Sequence, residues 1–189
     1  MARMSLAEFE ELYRAEPDPW GYTTSDYERE KYQATLAACG DGPFSEALEL
    51  GGSIGVFSEL LAPRCERLTT IDGAPTAVSA ARRRLASFPK ARALVGPIPA
   101  AVPERNFDLV VASEILYYLS TSELGCTLTR LRSGMVQGAR LVAVHWRPPG
   151  RERPLDADQV HRALHEQPWL RCVLSDATDA YLLDVLERR

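Results

Sequence analysis

Apolar positions keep a helical rhythm over the first forty residues and then break into short runs. Phe9, Leu12 and Tyr13 share one helical face behind Ser5 and Glu8, whose spacing is that of a capping box. Pro17-Asp18-Pro19-Trp20-Gly21 interrupts this helix, because proline cannot donate the amide bond a helix interior needs. Ser25 and Glu28 repeat the box and predict a second helix to about Cys39, closed by the turn Gly40-Asp41-Gly42-Pro43. Beyond the turn, strands are predicted at Ala47–Leu50, Arg67–Asp72, Ala91–Val95, Phe107–Ala112 and Ala139–His145. Helices are expected over Gly55–Ala62, Thr76–Ser87 and Thr121–Arg132, the first two stopped by Pro63 and Pro89. A helix over Asp156–His165 and strands at Leu170–Leu174 and Tyr181–Leu186 follow. Phe107–Ala112 is almost uniformly apolar, as a parallel strand covered on both faces requires. Too few residues join the last two strands for a helical crossover, so they are expected to be antiparallel.

The expected fold is therefore α/β: a Rossmann-like, doubly wound, mainly parallel seven-stranded sheet with an antiparallel C-terminal edge. The two N-terminal helices fall outside the alternation and are expected to form a lid. We expect one domain over 1–189, with the helical lid at 1–40 and the α/β core at 44–189.

Composition narrows the class. The chain has 189 residues, 46% hydrophobic and 25% charged, enough to fill its own core. Lys and Arg number 22 against 26 Asp and Glu, and the resulting net charge of −4 argues against a nucleic-acid partner. Apolar runs such as Leu109–Ala112 fall far short of the roughly 20 residues of a membrane span. Glu8, Glu10 and Glu11 stand where a secretory signal is apolar, so a cytoplasmic location is expected. Cys39, Cys65, Cys126 and Cys172 are too far apart for a zinc-knuckle spacing and read as buried thiols. His161, His165 and Asp158 have helical spacing, but nothing further in the sequence supports a metal, and none is expected. His161 reads as a surface residue and His165 as solvated. Arg82-Arg83-Arg84 points around a helix and reads as a solvated face.

Cofactor chemistry is concentrated in Glu49-Leu50-Gly51-Gly52-Ser53-Ile54-Gly55, after the first predicted strand. A dinucleotide fingerprint from Gly51 would need glycine at positions 53 and 56, where Ser53 and Val56 stand. The turn instead resembles motif I of the class I S-adenosylmethionine-dependent methyltransferases, with Ser53 in place of the middle glycine. Asp72, at the end of the second strand, suits the two hydroxyls of a ribose. The resemblance implies cofactor contacts from Glu49, Gly51, Gly52, Ser53, Gly55, Asp72, Gly73 and Ser113, with S-adenosyl-L-homocysteine as product. Gly96-Pro97-Ile98-Pro99 replaces the acidic residue expected near the adenine amine, leaving Ile98 as the adenine contact.

Further segments resemble one subgroup, the nodulation-S-like N-methyltransferases. They are Asp18-Pro19-Trp20-Gly21-Tyr22, Tyr27-Glu28-Arg29-Glu30-Lys31-Tyr32 and Ser113-Glu114-Ile115-Leu116-Tyr117-Tyr118. Val144-His145-Trp146-Arg147 resembles relatives that occur beside a sugar-type deacetylase. The resemblance implies a small-molecule acceptor, an amino sugar or similar amine. An amine must be neutral to attack, which calls for a proton acceptor. His145 is the expected base, Glu114 the group that holds an ammonium or takes its proton, and Tyr118, with Tyr117, a channel wall. Trp20, with Tyr22, is expected in a lid over the cofactor, Tyr27 beside it, and Lys31 on the methionine carboxylate. The alternatives are a non-catalytic cofactor-binding partner and a nicotinamide-dependent oxidoreductase.

Overall fold

The computed structural model describes residues 4–148 and 153–189. Helix α1 (Leu6–Ala15) opens with a complete capping box: Ser5 accepts from the Glu8 amide and the Glu8 carboxylate returns to the Ser5 amide. Helix α2 (Asp26–Cys39) differs at its start. Ser25 accepts from the Glu28 amide, but the Glu28 side chain turns inward to Lys31 instead of completing the expected box.

The alternating region builds β1 (Ala47–Leu50), α3 (Val56–Leu61), β2 (Leu68–Asp72), α4 (Pro75–Arg84), β3 (Ala91–Val95) and β4 (Phe107–Ser113). It continues through α5 (Thr121–Gly134), β5 (Met135–Trp146), α6 (Ala157–His165), β6 (Leu170–Ala177) and β7 (Tyr181–Arg188). The seven strands lie in the order β3-β2-β1-β4-β5-β7-β6. The pairs from β3 to β5 are parallel, whereas β7 pairs antiparallel with both β5 and β6.

The apolar runs sit where burial on both faces demands them. Leu48, Leu50, Leu109, Val110 and Val111 are fully buried in the two central strands. One flanking layer gathers Leu48, Leu50, Val110, Leu128, Leu131 and Leu164. The other gathers Tyr32, Phe57, Leu61, Val78, Val111 and Val142. Winding reverses between β1 and β4, and in such sheets a crevice for ligands opens at the carboxyl ends of the strands there.

Four expectations are corrected. β5 begins at Met135, directly after α5, and Gly138 takes a left-handed turn (φ 78°) inside it. β6 continues to Ala177 because Ser175, Asp176 and Ala177 pair with Asp184, Leu183 and Leu182, a ladder their polar character does not announce. Of the four thiols only Cys39 is buried; Cys126 and Cys172 are exposed. Arg84 is not simply solvated, since it bonds the Ile54 carbonyl and pairs with Glu59. Among the described residues no helix is long and apolar enough to cross a membrane.

Candidate active site

The turn after β1 is built from the chain's own packing. Gly51 (φ 77°) and Gly55 (φ 82°) adopt left-handed conformations, which glycine takes without steric cost. A Cβ on Gly51 would stand 2.7 Å from Ile115 Cβ, and one on Gly55 2.9 Å from Ala81 Cα. Ser53 is left-handed as well (φ 49°), a conformation that costs a residue with a side chain. Its amide donates to Asp72 Oδ2 at 2.9 Å, and its hydroxyl bonds the Tyr13 hydroxyl of α1. The serine at the family's middle glycine therefore has a partner in the helix above it.

Asp72 closes β2 and lines the cavity. Its Oδ1 accepts from the Ala74 amide at 2.9 Å. Burial raises its pKa above the ordinary value, against the pull of the Ala74, Ser53 and Gly73 amides. Glu49 lies beneath, 2% exposed, accepting from the Ser58 hydroxyl, and burial pushes its carboxyl up to about 7.

Over this floor opens a cavity of about 450 Å³, within the size range of small-molecule sites. Phe9 and Tyr13 of α1 form its cover together with Trp20, which packs between Tyr13 (5.3 Å) and Tyr22 (5.8 Å). Glu10 anchors the cover. Its carboxylate accepts from the Thr76 amide (2.9 Å) and hydroxyl (2.7 Å), capping α4, whose own N-cap Ala74 has no side-chain acceptor.

The far wall is acidic and aromatic. Glu114 is left-handed (φ 56°), and its Oε1 accepts from Lys31 Nζ at 2.7 Å. Its Oε2 accepts from the Trp146 amide at 2.8 Å and from the Tyr117 hydroxyl. Lys31, 2% exposed, also donates to Glu28 Oε1 at 3.0 Å. Two carboxylates thus share one ammonium. Glu28 Oε2 is buried and has no hydrogen-bond partner among the described residues. Burial raises the Glu28 pKa, opposed by Lys31. Tyr117 and Tyr118 meet edge-on at 4.7 Å, and Arg153 lies 4.3 Å above the Tyr117 ring.

The cavity brings together Trp20, Lys31, Gly51, Ser53 and Asp72 with Gly73, Ile98, Ser113, Glu114 and Tyr118. Five expected residues do not line it: Tyr27, Glu49, Gly52, Gly55 and His145. Tyr27 packs edge-on against Trp146, and its hydroxyl is buried without a partner among the described residues. Gly52 faces Thr70, where a Cβ would collide. Lys31 lines the cavity with its ammonium held between two carboxylates.

His145 is fully buried, and its Nε2 accepts from the Leu116 amide at 3.2 Å. Its proton therefore sits on Nδ1, which faces His161 Nε2 at 3.0 Å. His161 in turn donates from Nδ1 to Asp184 Oδ2 at 2.7 Å. Burial, with the charges of Arg153 and Lys31 adding to it, holds His145 well below the ordinary histidine pKa. With its acceptor nitrogen occupied and no face on the cavity, His145 is not placed as the base. His161 is buried in this chain of bonds, not on the surface. Sequence reasoning missed Glu28, which it read only as a cap partner, and Arg153. The sequence also reads Pro148-Pro149-Gly150 as a loop bounding the substrate side, of which Pro149 and Gly150 lie outside the described residues.

Comparison with known proteins matches residues 6–141 to the family model described as Nodulation protein S (NodS). Nodulation protein S of Rhizobium tropici is 36% identical over 130 residues, 68% of this chain and 55% of that protein. The chain thus spans about half the length of the curated relatives it matches. The N-methyltransferase NodS of Bradyrhizobium japonicum WM9, in complex with S-adenosyl-L-homocysteine, superposes with a TM-score of 0.88 at 27% identity. That match covers 98% of this chain and 99% of the other. The magnesium protoporphyrin IX methyltransferase of Synechocystis PCC 6803, with bound S-adenosylmethionine, shares the fold at a TM-score of 0.73 and 16% identity.

Proposed function

The chain belongs to the nodulation protein S family, and on that premise we propose that it is an S-adenosylmethionine-dependent N-methyltransferase acting on a small amine. The amine we propose is that of an amino sugar, as the resemblance over 113–118 and 144–147 implies. The observation that carries the reading is Glu28 Oε2, a buried carboxylate oxygen with no partner among the described residues, on the wall shared with Glu114.

The donor set fits the cofactor. Asp72 would take the ribose hydroxyls, Ile98 and Pro97 the adenine face, and Gly51 and Ser53 the backbone side of the cleft. The cofactor supplies a methyl group on a sulfonium, already a good leaving group. The chain's own task is then alignment, exclusion of water and handling of one proton.

An incoming ammonium is attracted to the cluster of Glu28, Lys31 and Glu114, whose charges sum to −1. Glu28 Oε2 accepts the proton the amine must lose, and its raised pKa brings it closer to that task. Lys31 keeps Glu114 in place, and Glu114 anchors Tyr117 and the Trp146 amide, so the aromatic wall stays closed. The role first expected of His145 passes to Glu28.

Incubation with methyl-deuterated S-adenosylmethionine and a panel of amines, including free-amine chitooligosaccharides, tests the reading by mass spectrometry. Labelled N-methyl product from an amino sugar is expected. Cofactor binding without transfer to any amine would instead favour the non-catalytic alternative.

A further inference from the structure

A second cluster of reactive side chains lies on the antiparallel edge of the sheet, beyond residues 6–141 that match the family model. His165 Nε2, Cys172 Sγ and a carboxylate oxygen of Asp184 lie within 4.8 Å of one another. They come from three elements, α6, β6 and β7.

Their meeting depends on a bulge. Residues directly opposite in an antiparallel pair share a sheet face, and so do residues two apart on one strand. Ser175 pairs with Asp184, so a regular ladder would set Val173 against Leu186 on the Asp184 face. The register shift between Cys172 and Leu174 sets Cys172 against Leu186 instead. The thiol, not the valine, thereby joins the face that α6 covers. From α6, His165 reaches Asp184 Oδ2 at 2.6 Å.

We propose that His165, Cys172 and Asp184 form a binding site for a single zinc ion. A thiolate, an imidazole and a carboxylate are a ligand set that zinc accepts. Thiolate and carboxylate together balance the +2 charge, so a chelate on this half-open edge is neutral. On binding, the Cys172 thiol releases its proton to solvent, and His165 moves its ring proton from Nε2 to Nδ1.

His161 does not join the ligands. Its Nε2 accepts a hydrogen bond from His145 Nδ1–H, and its Nδ1–H donates to Asp184, an outer-shell bond that orients the carboxylate. His165 and Cys172 are both exposed, which leaves the fourth coordination position to water. Asp158, the residue that helical spacing pairs with the two histidines, is taken by Arg147. The ion would staple α6 to the β6–β7 edge.

The full chain, stripped with chelator and titrated with zinc alone, is expected to bind one equivalent, release a proton and melt at higher temperature. Cobalt(II) in the same site is expected to show a thiolate charge-transfer band. Cys172→Ser and His165→Ala, both at exposed positions, are each expected to weaken binding beyond the roughly 10–100-fold cost of losing an outer-shell partner. Cys126→Ser is expected to bind as the parent does. Absence of a stoichiometric equivalent, a cobalt adduct without the thiolate band, or full binding by Cys172→Ser would each overturn the proposal.

Discussion

Replacing Glu49 with glutamine removes a charge from beneath the glycine turn while keeping the side chain's shape. Glu49 is 2% exposed; burial raises its pKa, Ser58 opposes, and the folded value is about 7 against an ordinary one near 4.5. Below pH 4.5 the group is protonated whether the chain is folded or not, and it costs nothing. As pH rises from 4.5 to 7 the unfolded chain releases the proton and the folded chain keeps it, so stability falls. At about 1.4 kcal/mol per pH unit, that gap is worth about 3 kcal/mol, present in full above pH 7. Glutamine carries no charge and can still accept from Ser58. Glu49→Gln is therefore expected to match the parent near pH 4.5 and to exceed its stability by about 3 kcal/mol at pH 8. Urea unfolding of both proteins at each pH reads the difference directly, because every other titrating group cancels in the subtraction. A stability gap that stays flat from pH 5 to 8 would refute the buried-carboxylate account.

Three more outcomes are expected. Gly51→Ala forces a side chain into a left-handed backbone 2.7 Å from Ile115 Cβ, and thermal melts should show a loss of about 1–3 kcal/mol; an unchanged melt would contradict the packing role. Glu28→Gln should lower methyl transfer about 100-fold or more, the usual worth of a proton acceptor, with product-cofactor affinity unchanged; full turnover would remove Glu28 from the reaction. His145→Ala breaks a fully buried chain of bonds and should cost about 1–3 kcal/mol of stability while leaving the shape of the turnover pH profile intact. A displaced profile would return His145 to the base role.

The fold was legible because its signals are local. Apolar runs bounded by Pro63 and Pro89, and the uniform run at Leu109–Ala112, announce strands and helices without reference to anything distant. Where the run is polar, as at Ser175–Ala177, the strand is set by its partner β7 and leaves no trace in its own residues. The glycine turn was legible for the same reason: Gly51, Ser53 and Asp72 sit at fixed offsets from strand ends. The acidic wall was not. Glu28 and Glu114 are 86 residues apart and meet only because Lys31 bridges them, a contact no spacing encodes. His145 misled for a related reason. Its place at the end of β5 suggested the site, but the side chain points to α6, where His161 waits.

The central claim is that the cavity over Asp72 is a cofactor site. Calorimetric titration of S-adenosyl-L-homocysteine into the parent and into Asp72→Ala tests it most directly. Micromolar-range binding by the parent is expected, weakened by about 1–3 kcal/mol, or roughly 5–150-fold, in the variant. No heat with the parent, or the same affinity in both proteins, would contradict it.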